Sequence, residues 1–370
     1  MSLSQDIQEN RAGLSHKSPY IAHIKERVIL NKPSSTKKTL HIVLDLADSG
    51  IEYDVGSCVG VFAQNSEERV ERFLEIFTNH ASSPIVFKKT NEVMSVRTFL
   101  TRYANLNSLN SSFLKLVNHP ALSDKEFVLQ NDPLSFLQAH YTDEIALQMW
   151  CDAFQPLLPR YYSIASSQKK VSNEVHLMVA TFSYSHAGQE KTGVASSHLF
   201  DEKTTHVPIF LQKNPRFTVP ENLETPIIMI GPGTGVAPFI AFIQERIATS
   251  SSRNWLFFGE RNREEDFYYE DFLLDAASKG YLELDLAFSR DQEEKIYVQH
   301  KMVEKADQLW QWIEKDHASI YICGDAKKMA KDVTEALLTI FMTKGHMERK
   351  EADAYLSALR KSHRIHLDVY

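Results

Sequence analysis

The segment Ile227 to Pro238 limits what this chain can fold into more than any other stretch. Ile227-Ile228-Met229-Ile230 is short and apolar throughout, the composition of a strand covered on both faces. It runs directly into Gly231-Pro232-Gly233-Thr234-Gly235-Val236-Ala237-Pro238 and then into an apolar helical stretch. Glycines allow a tight turn and bring backbone N–H groups close to a ligand. Pro238 suits a first helical turn, and a helix N-terminus behind such a loop favours negative charge. The loop is therefore built to accept a pyrophosphate. Its spacing is not GxGxxG, because the third glycine arrives one residue early.

The same alternation repeats downstream. Trp255–Phe258, Leu282–Phe288 and Ser319–Cys323 read as further buried strands, with helical stretches such as Asp332–Phe341 between them. Strand, loop and helix in succession predict a doubly wound parallel sheet with helices on both faces. Pro215, Pro220 and Pro226 mark the boundary before it. Upstream the pattern differs. Leu40 to Leu46 alternates with period two, and Gly50, Gly56 and Gly60 punctuate short strands. Strands return at Tyr161–Ile164 and Val175–Tyr184. Between them, from about 66 to 155, helical signals dominate. Ser66-Glu67-Glu68 opens one helix, with Val70, Phe73, Leu74 and Phe77 on one face, and Asp132-Pro133 opens another.

The chain ends on His363-Arg364-Ile365-His366-Leu367-Asp368-Val369-Tyr370. Period two puts Ile365, Leu367 and Val369 on one face and His366, Asp368 and Tyr370 on the other, neighbours being ~6.6 Å apart. Two readings stay open: an edge strand with a capped end, or a carboxylate and a ring facing a flat ligand.

Net charge is -7 with no long basic run, which argues against nucleic-acid binding. Cys58, Cys151 and Cys323 lie far apart and form no CxxC, which argues against a disulfide framework, a zinc site or any other metal. The first twenty residues hold Asp6, Glu9, Arg11 and Lys17 and no apolar stretch, so no secretory leader is expected. No run approaches the ~20 apolar residues of a membrane span. A cytoplasmic location is the default.

Three further stretches carry polar chemistry. Ser289-Arg290 follows the strand ending at Phe288, and Lys295-Ile296-Tyr297-Val298-Gln299 comes five residues later. Their hydroxyl, guanidinium, ammonium and phenol groups suit a phosphate monoester. In Arg160-Tyr161-Tyr162-Ser163 an arginine, a ring and a hydroxyl are adjacent. Gly193-Val194-Ala195-Ser196-Ser197 offers backbone donors and hydroxyls. The first also reads plainly as solvated charges after a strand, and neither of the other two is diagnostic in isolation.

Taken in order, the stretches RYYSIASS (160–167), GVASS (193–197), IGPGTGVAPF (230–239), FFGER (257–261), SRDQEEKIYVQ (289–299), YICGDAKKMAKDV (321–333) and the terminal DVY resemble the ferredoxin–NADP(+) reductase family. They are most similar to the FAD/NADPH half of the diflavin reductases, and within it to sulfite reductase flavoproteins. The resemblance covers roughly residues 19–370. It implies a β-barrel FAD-binding domain with a mostly helical insert (19–222, insert at about 66–155), then an α/β NADP(H)-binding domain with a flavin-stacking tail (223–370), after a loosely ordered segment 1–18.

The resemblance also implies roles. Arg160, Tyr161, Tyr162 and Ser163, with Met178, Val179, Ala180 and Tyr184, would contact FAD, and Gly193, Val194, Ala195 and Ser196 would form its second pyrophosphate loop. Gly231, Gly233, Thr234 and Gly235 would hold the NADPH pyrophosphate. Arg261, Ser289, Arg290, Lys295, Ile296, Tyr297, Val298, Gln299 and Asp332 would serve the rest of that nucleotide. Ser163, Cys323 and Asp368 would surround the hydride path, and Tyr370 would stack on the flavin. The implied activity is hydride transfer from NADPH to FAD, then single-electron transfer to a separate protein. That acceptor would be a flavodoxin, a haem protein or an iron–sulfur protein, because only about eighteen residues precede the module. Relatives have a second glycine where this chain has Val194, and valine resists φ > 0. They also have an acidic residue where Ser57 stands. Val194 and the expected lack of an FMN domain motivate the alternative of a catalytically impaired nucleotide-binding or scaffold subunit.

Overall fold

The computed structural model describes residues 13, 15–78, 80–186 and 189–370. Its strands, in chain order, are β1 (Tyr20–Ile29), β2 (Thr39–Asp45), β3 (Cys58–Val61), β4 (Pro84–Phe87), β5 (Glu92–Ser95), β6 (Arg160–Ser163), β7 (Glu174–Ala180) and β8 (Ser183–His186). They continue with β9 (Gln189–Thr192), β10 (His206–Gln212), β11 (Ile227–Ile230), β12 (Asn254–Glu260), β13 (Glu283–Phe288), β14 (Ser319–Gly324) and β15 (Ile365–Val369). The chain divides into two compact units. One comprises residues up to Val59, Tyr161–Ala180 and Ile209–Tyr370, and the other comprises Gly60–Arg160 and Thr181–Pro208. Most of residues 1–18, read from sequence as loosely ordered, lie outside the described residues.

The first unit carries two sheets. One has the strand order β6-β3-β10-β1-β2-β7. β2 runs antiparallel to both β1 and β7. A bridge between Ile164 and Leu177 joins the residue after β6 to β7, so the ends of the sheet meet and it closes as a barrel. The other sheet has the order β13-β12-β11-β14-β15 and is parallel throughout.

That parallel sheet is covered on both faces, as its apolar strands require. Ile228, Ile230, Trp255, Phe257, Ile320 and Ile322 point to the side of Val298–Glu304, Ala306–Glu314, Met329–Lys344 and Arg349–Lys361. The alternating residues Ile227, Met229, Leu256, Phe258, Tyr321 and Cys323 point to the side of Ala237–Ala248 and Glu270–Ser278. Each fully buried side chain of this size contributes about 1.5–3 kcal/mol. The strand order reverses between β11 and β14, the place where open α/β sheets leave a crevice beyond their C-terminal strand ends. β15 is the edge strand. Its register sets His366 beside Tyr321 and Asp368 beside Cys323. Because it lies at the edge, its apolar face is only partly covered: Ile365 is buried, whereas Leu367 is 45% exposed.

The second unit has its own core, which includes Phe73, Phe77, Phe99, Phe113 and Trp150. Its helices begin where the capping residues stand. Ser66 Oγ accepts the Arg69 N–H at the start of Glu67–Leu74, and Asp132 Oδ1 accepts the Ser135 N–H at the start of Pro133–His140. β4 and β5 form an antiparallel hairpin that the helical reading did not include. Asn91, at φ 57°, turns the chain there. The stretch Val175–Tyr184, read as one strand, is two: β7 ends at Ala180, and β8 pairs with β9 in a separate hairpin. No helix among the described residues is long and apolar enough to cross a membrane.

Candidate functional site

The loop after β11 is a cradle in which side chains would not fit. A Cβ on Gly235 would lie 2.2 Å from the Cys323 carbonyl oxygen, and one on Gly231 would lie 2.5 Å from that of Gly235. The backbones of this loop and of the end of β14 are therefore in direct contact. Gly233 differs: it adopts φ +61° and has no atom within 4 Å of its Cβ position. Its backbone faces open volume, the geometry needed for a bound pyrophosphate.

That volume belongs to a cavity of about 340 Å³ at the strand ends of the parallel sheet. Of the residues singled out in the sequence, Gly233, Arg261, Ser289, Tyr297, Val298, Gln299 and Asp332 line it. Arg290, Lys295 and Ile296 do not. Arg290 and Lys295 are exposed, and Ile296 packs against the sheet core. Sequence reasoning missed Gly259, Glu260, Ala287, Asp325 and Lys328, which also line the cavity. The signal was there to read, since they lie at or just beyond the C-terminal ends of β12, β13 and β14. Size and chemistry suit a nucleotide, with hydroxyl, guanidinium, phenol and ammonium donors around one opening.

A second cluster stands at the ends of β14 and β15. Ser163 Oγ donates to Asp368 Oδ2 at 2.9 Å, and Cys323 Sγ donates to the same oxygen at 3.8 Å. So Ser163, Cys323 and Asp368, which are 160 and 45 positions apart along the chain, do converge. Cys58, not singled out from sequence, joins them with its Sγ 4.0 Å from Ser163 Oγ. Burial raises the Asp368 carboxyl above its ordinary value, against the opposing pull of the Ser163 and Cys323 hydrogen bonds. Burial, and then the Asp368 charge, raise both thiols, Cys58 to about 11. The thiols therefore stay protonated and serve as donors rather than nucleophiles.

The terminal residue is docked. The Tyr370 N–H donates to Gly324 O at 3.1 Å, and its carbonyl accepts the Ala326 N–H at 3.0 Å. Its hydroxyl lies 2.9 Å from Thr234 Oγ1 in the glycine loop, yet the residue is 66% exposed. An aromatic ring fixed at its backbone and open to solvent leaves a face available for another ring.

The other flavin candidates fall in both units. In the first, Tyr161 is 55% exposed and Tyr162 half-buried, while Met178 and Val179 are buried in the core. Val179 and Met178 pair with Leu40 and His41 of β2, so any ligand contact from them would be through the main chain or a side-chain edge. In the second, Arg160 is exposed, and Tyr184 stacks on Phe182 with centroids 5.6 Å apart. Gly193 precedes the helix Val194–Phe200, and Ser196 Oγ donates back to Gly193 O at 3.0 Å. Ala195 and Ser196 are buried. Val194 is the first helical residue and is not among the residues with positive φ. The strain expected from valine at this position is absent, because the loop asks for no left-handed residue there. Three positions earlier, Lys191 is buried with Nζ 3.8 Å from Asp132 Oδ2 and no hydrogen bond among the described residues. A cation left in that state suits an anionic group nearby.

A closed barrel and a doubly wound sheet with a glycine cradle define a class: oxidoreductases that pair a flavin with a pyridine nucleotide. Residues 13–99 and 94–198, together half of the chain, match the FAD binding domain family, and residues 229–335 match the oxidoreductase NAD-binding domain. The chain belongs to the FAD-binding-domain family, and its cofactors are FAD and a pyridine nucleotide. It is 38% identical over 395 residues to the sulfite reductase (NADPH) flavoprotein alpha-component of Shigella flexneri, and 38% over 388 residues to that of Escherichia coli strain K12. Each match covers 99% of this chain and 64% of the relative, so the chain spans less than two thirds of those proteins' length.

Proposed function

We propose that this chain is an NADPH-dependent flavoprotein reductase module that passes electrons to a separate protein. The observation that carries the reading is the convergence of Ser163, Cys323 and Asp368 beside the glycine cradle's contact with β14. When bound, FAD would supply the chemistry that takes up a hydride from NADPH and passes electrons on singly. Residues 19–222 are assigned to FAD, with a helical insert at about 66–155, and residues 223–370 to NADP(H).

The chain's own part is binding, orientation and charge. Tyr162 and Ser163 would hold the flavin ring end, and Arg160 and Gly193 to Ser196 its phosphates. Gly231 to Gly235 would hold the nicotinamide nucleotide's pyrophosphate, with Arg261, Ser289, Tyr297, Gln299 and Asp332 around its adenosine. Asp368, oriented by the Ser163 hydroxyl, supplies negative charge where a nicotinamide acquires positive charge. The small Cys323 side chain allows close approach, and Tyr370 would cover the ring until the nucleotide displaces it. The relatives are named as sulfite reductase components using NADPH, which favours NADPH as donor and a haem or iron–sulfur protein, or a free flavodoxin, as acceptor. A cytoplasmic location goes with three free cysteines and an NADPH donor.

The test is anaerobic mixing of the purified chain with FAD and NADPH. A bound flavin spectrum bleached by NADPH, and ferricyanide reduction without any partner protein, are expected. A chain that retains no flavin when FAD is supplied overturns the assignment.

A further inference from the structure

Three carboxylates line the nucleotide cavity: Glu260, Asp325 and Asp332. A carboxylate at such a strand end accepts a ribose 2′-hydroxyl, and it repels a 2′-phosphate. Asp325 is engaged locally: its Oδ1 accepts the N–H groups of Lys328 at 2.7 Å and Met329 at 3.3 Å. Asp332 Oδ2 receives Gln299 Nε2 at 3.4 Å. Glu260 is treated differently. Its side chain is 6% exposed, and Lys37 Nζ donates to both of its oxygens.

Lys37 is 223 positions upstream, in the loop between β1 and β2, and does not itself line the cavity. The loop is held by buried polar contacts. Asn31 Nδ2 donates to Asp266 Oδ1 at 2.7 Å, Thr39 Oγ1 bonds the Tyr268 hydroxyl at 3.1 Å, and the Lys32 N–H donates to Glu265 O at 2.9 Å. In the same loop Thr36 Oγ1 accepts Arg261 Nη1 at 2.9 Å, and Arg261 lines the cavity. One loop thus pairs with two consecutive residues of opposite charge. It occupies the acid with a lysine and steadies the base with a neutral hydroxyl.

We propose that Lys37 is a specificity-determining residue: by cancelling the Glu260 charge it lets the cavity take a 2′-phosphorylated nucleotide, leaving Arg261 free to meet the phosphate. The proposal rests on the reading of this cavity as the nucleotide site. Without Lys37, Glu260 presents an unpaired carboxylate that repels the 2′-phosphate and accepts a 2′-hydroxyl.

The experiment is isothermal titration of the FAD-loaded chain with 2′,5′-ADP and with 5′-ADP, which reads binding without turnover. Lys37→Ala is expected to weaken 2′,5′-ADP by about tenfold to a hundredfold, the scale of one charge-assisted contact, and to leave 5′-ADP unchanged or tighter. Lys37→Arg keeps the wild-type preference. The double variant Lys37→Ala/Glu260→Gln regains 2′,5′-ADP binding, because a neutral amide needs no counter-ion. A lysine that merely braced its loop would not be rescued in this way. If Lys37→Ala misfolds, Glu260→Gln alone decides: it must bind 2′,5′-ADP at least as well as wild type, and a loss there overturns the proposal. Wild type that favours 2′,5′-ADP while Lys37→Ala keeps the same preference overturns the role of Lys37 alone. Wild type that binds the two nucleotides alike overturns the proposed 2′-phosphate selectivity, whereas wild type that binds neither overturns the nucleotide reading of the cavity itself.

Discussion

In the proposed reading Asp368 places the functional charge in one carboxylate, and its surroundings set what it can do. Ser163 and Cys323 both donate to Oδ2, which orients the group and favours its charge. Burial works the other way and prevails, so its pKa is raised. The sign follows directly. The anion is lost on acidification sooner than for an ordinary aspartate, whose pKa is about 3.9. Flavin reduction by NADPH that uses the anion should therefore fall with pH along a limb centred above that value. Asp368→Asn should remove the limb and slow the step by about a hundredfold, the scale for one electrostatic group in a dry site, with flavin content unchanged. Stopped-flow absorbance across the pH range checks both. Because a raised carboxyl pKa means the fold favours the neutral form, stability from this group is lost as pH rises through the folded value. Asp368→Asn should consequently unfold no earlier than wild type at neutral pH. A variant that retains the acid limb would show that another group titrates.

Among the elements, Pro133–His140 shows how much one capping residue can hold. Asp132 accepts the Ser135 N–H and hydroxyl at its start and stands beside the buried Lys191. Asp132→Ala removes the cap, about 1 kcal/mol, and leaves the buried Lys191 amine without the carboxylate beside it, a larger cost. Denaturant unfolding followed through Trp150 should show a loss of about 2–4 kcal/mol in all. Asp132→Asn, which keeps the cap, should lose clearly less, and equal losses would mean that capping contributes nothing. This start was legible in the sequence because a cap and a proline are local signals. So were β11, which matches its apolar run residue for residue, and the Val70, Phe73, Leu74 and Phe77 face, all buried. What escaped was non-local. The β4–β5 hairpin depends on pairing within a helical neighbourhood, and the break between β7 and β8 depends on which sheet each strand joins. The approach of Cys58 to Ser163 spans 105 positions, and that of Lys37 to Glu260 spans 223. No spacing rule in one dimension reports such pairs.

At the scale of the whole molecule, a few groups in and around the proposed sites are left exposed or without a hydrogen-bond partner. Tyr370 and Tyr161 are left more than half exposed, and among the described residues Lys191 Nζ lacks a hydrogen bond. Each of these is a cost that a bound cofactor would offset. Folding and cofactor binding are then linked by mass action, since FAD binds the native state and not the unfolded chain. At a free FAD concentration of 100 times its dissociation constant the native state gains about 2.7 kcal/mol. With an unfolding entropy of roughly 2 cal/mol/K per residue, that raises the melting temperature of a chain this long by about 3–4 °C. Each further tenfold of FAD should add about 1.4 kcal/mol, or about 2 °C, without a plateau. Scanning calorimetry of the flavin-stripped chain over a series of FAD concentrations measures this. A melting temperature that climbs with the logarithm of FAD, while riboflavin, which lacks the pyrophosphate, shifts it less, would fit a site that uses both the ring face and the phosphate donors. Equal shifts from riboflavin and FAD would mean that the phosphate-facing residues contribute no binding, and a temperature indifferent to FAD would mean that these groups serve no flavin.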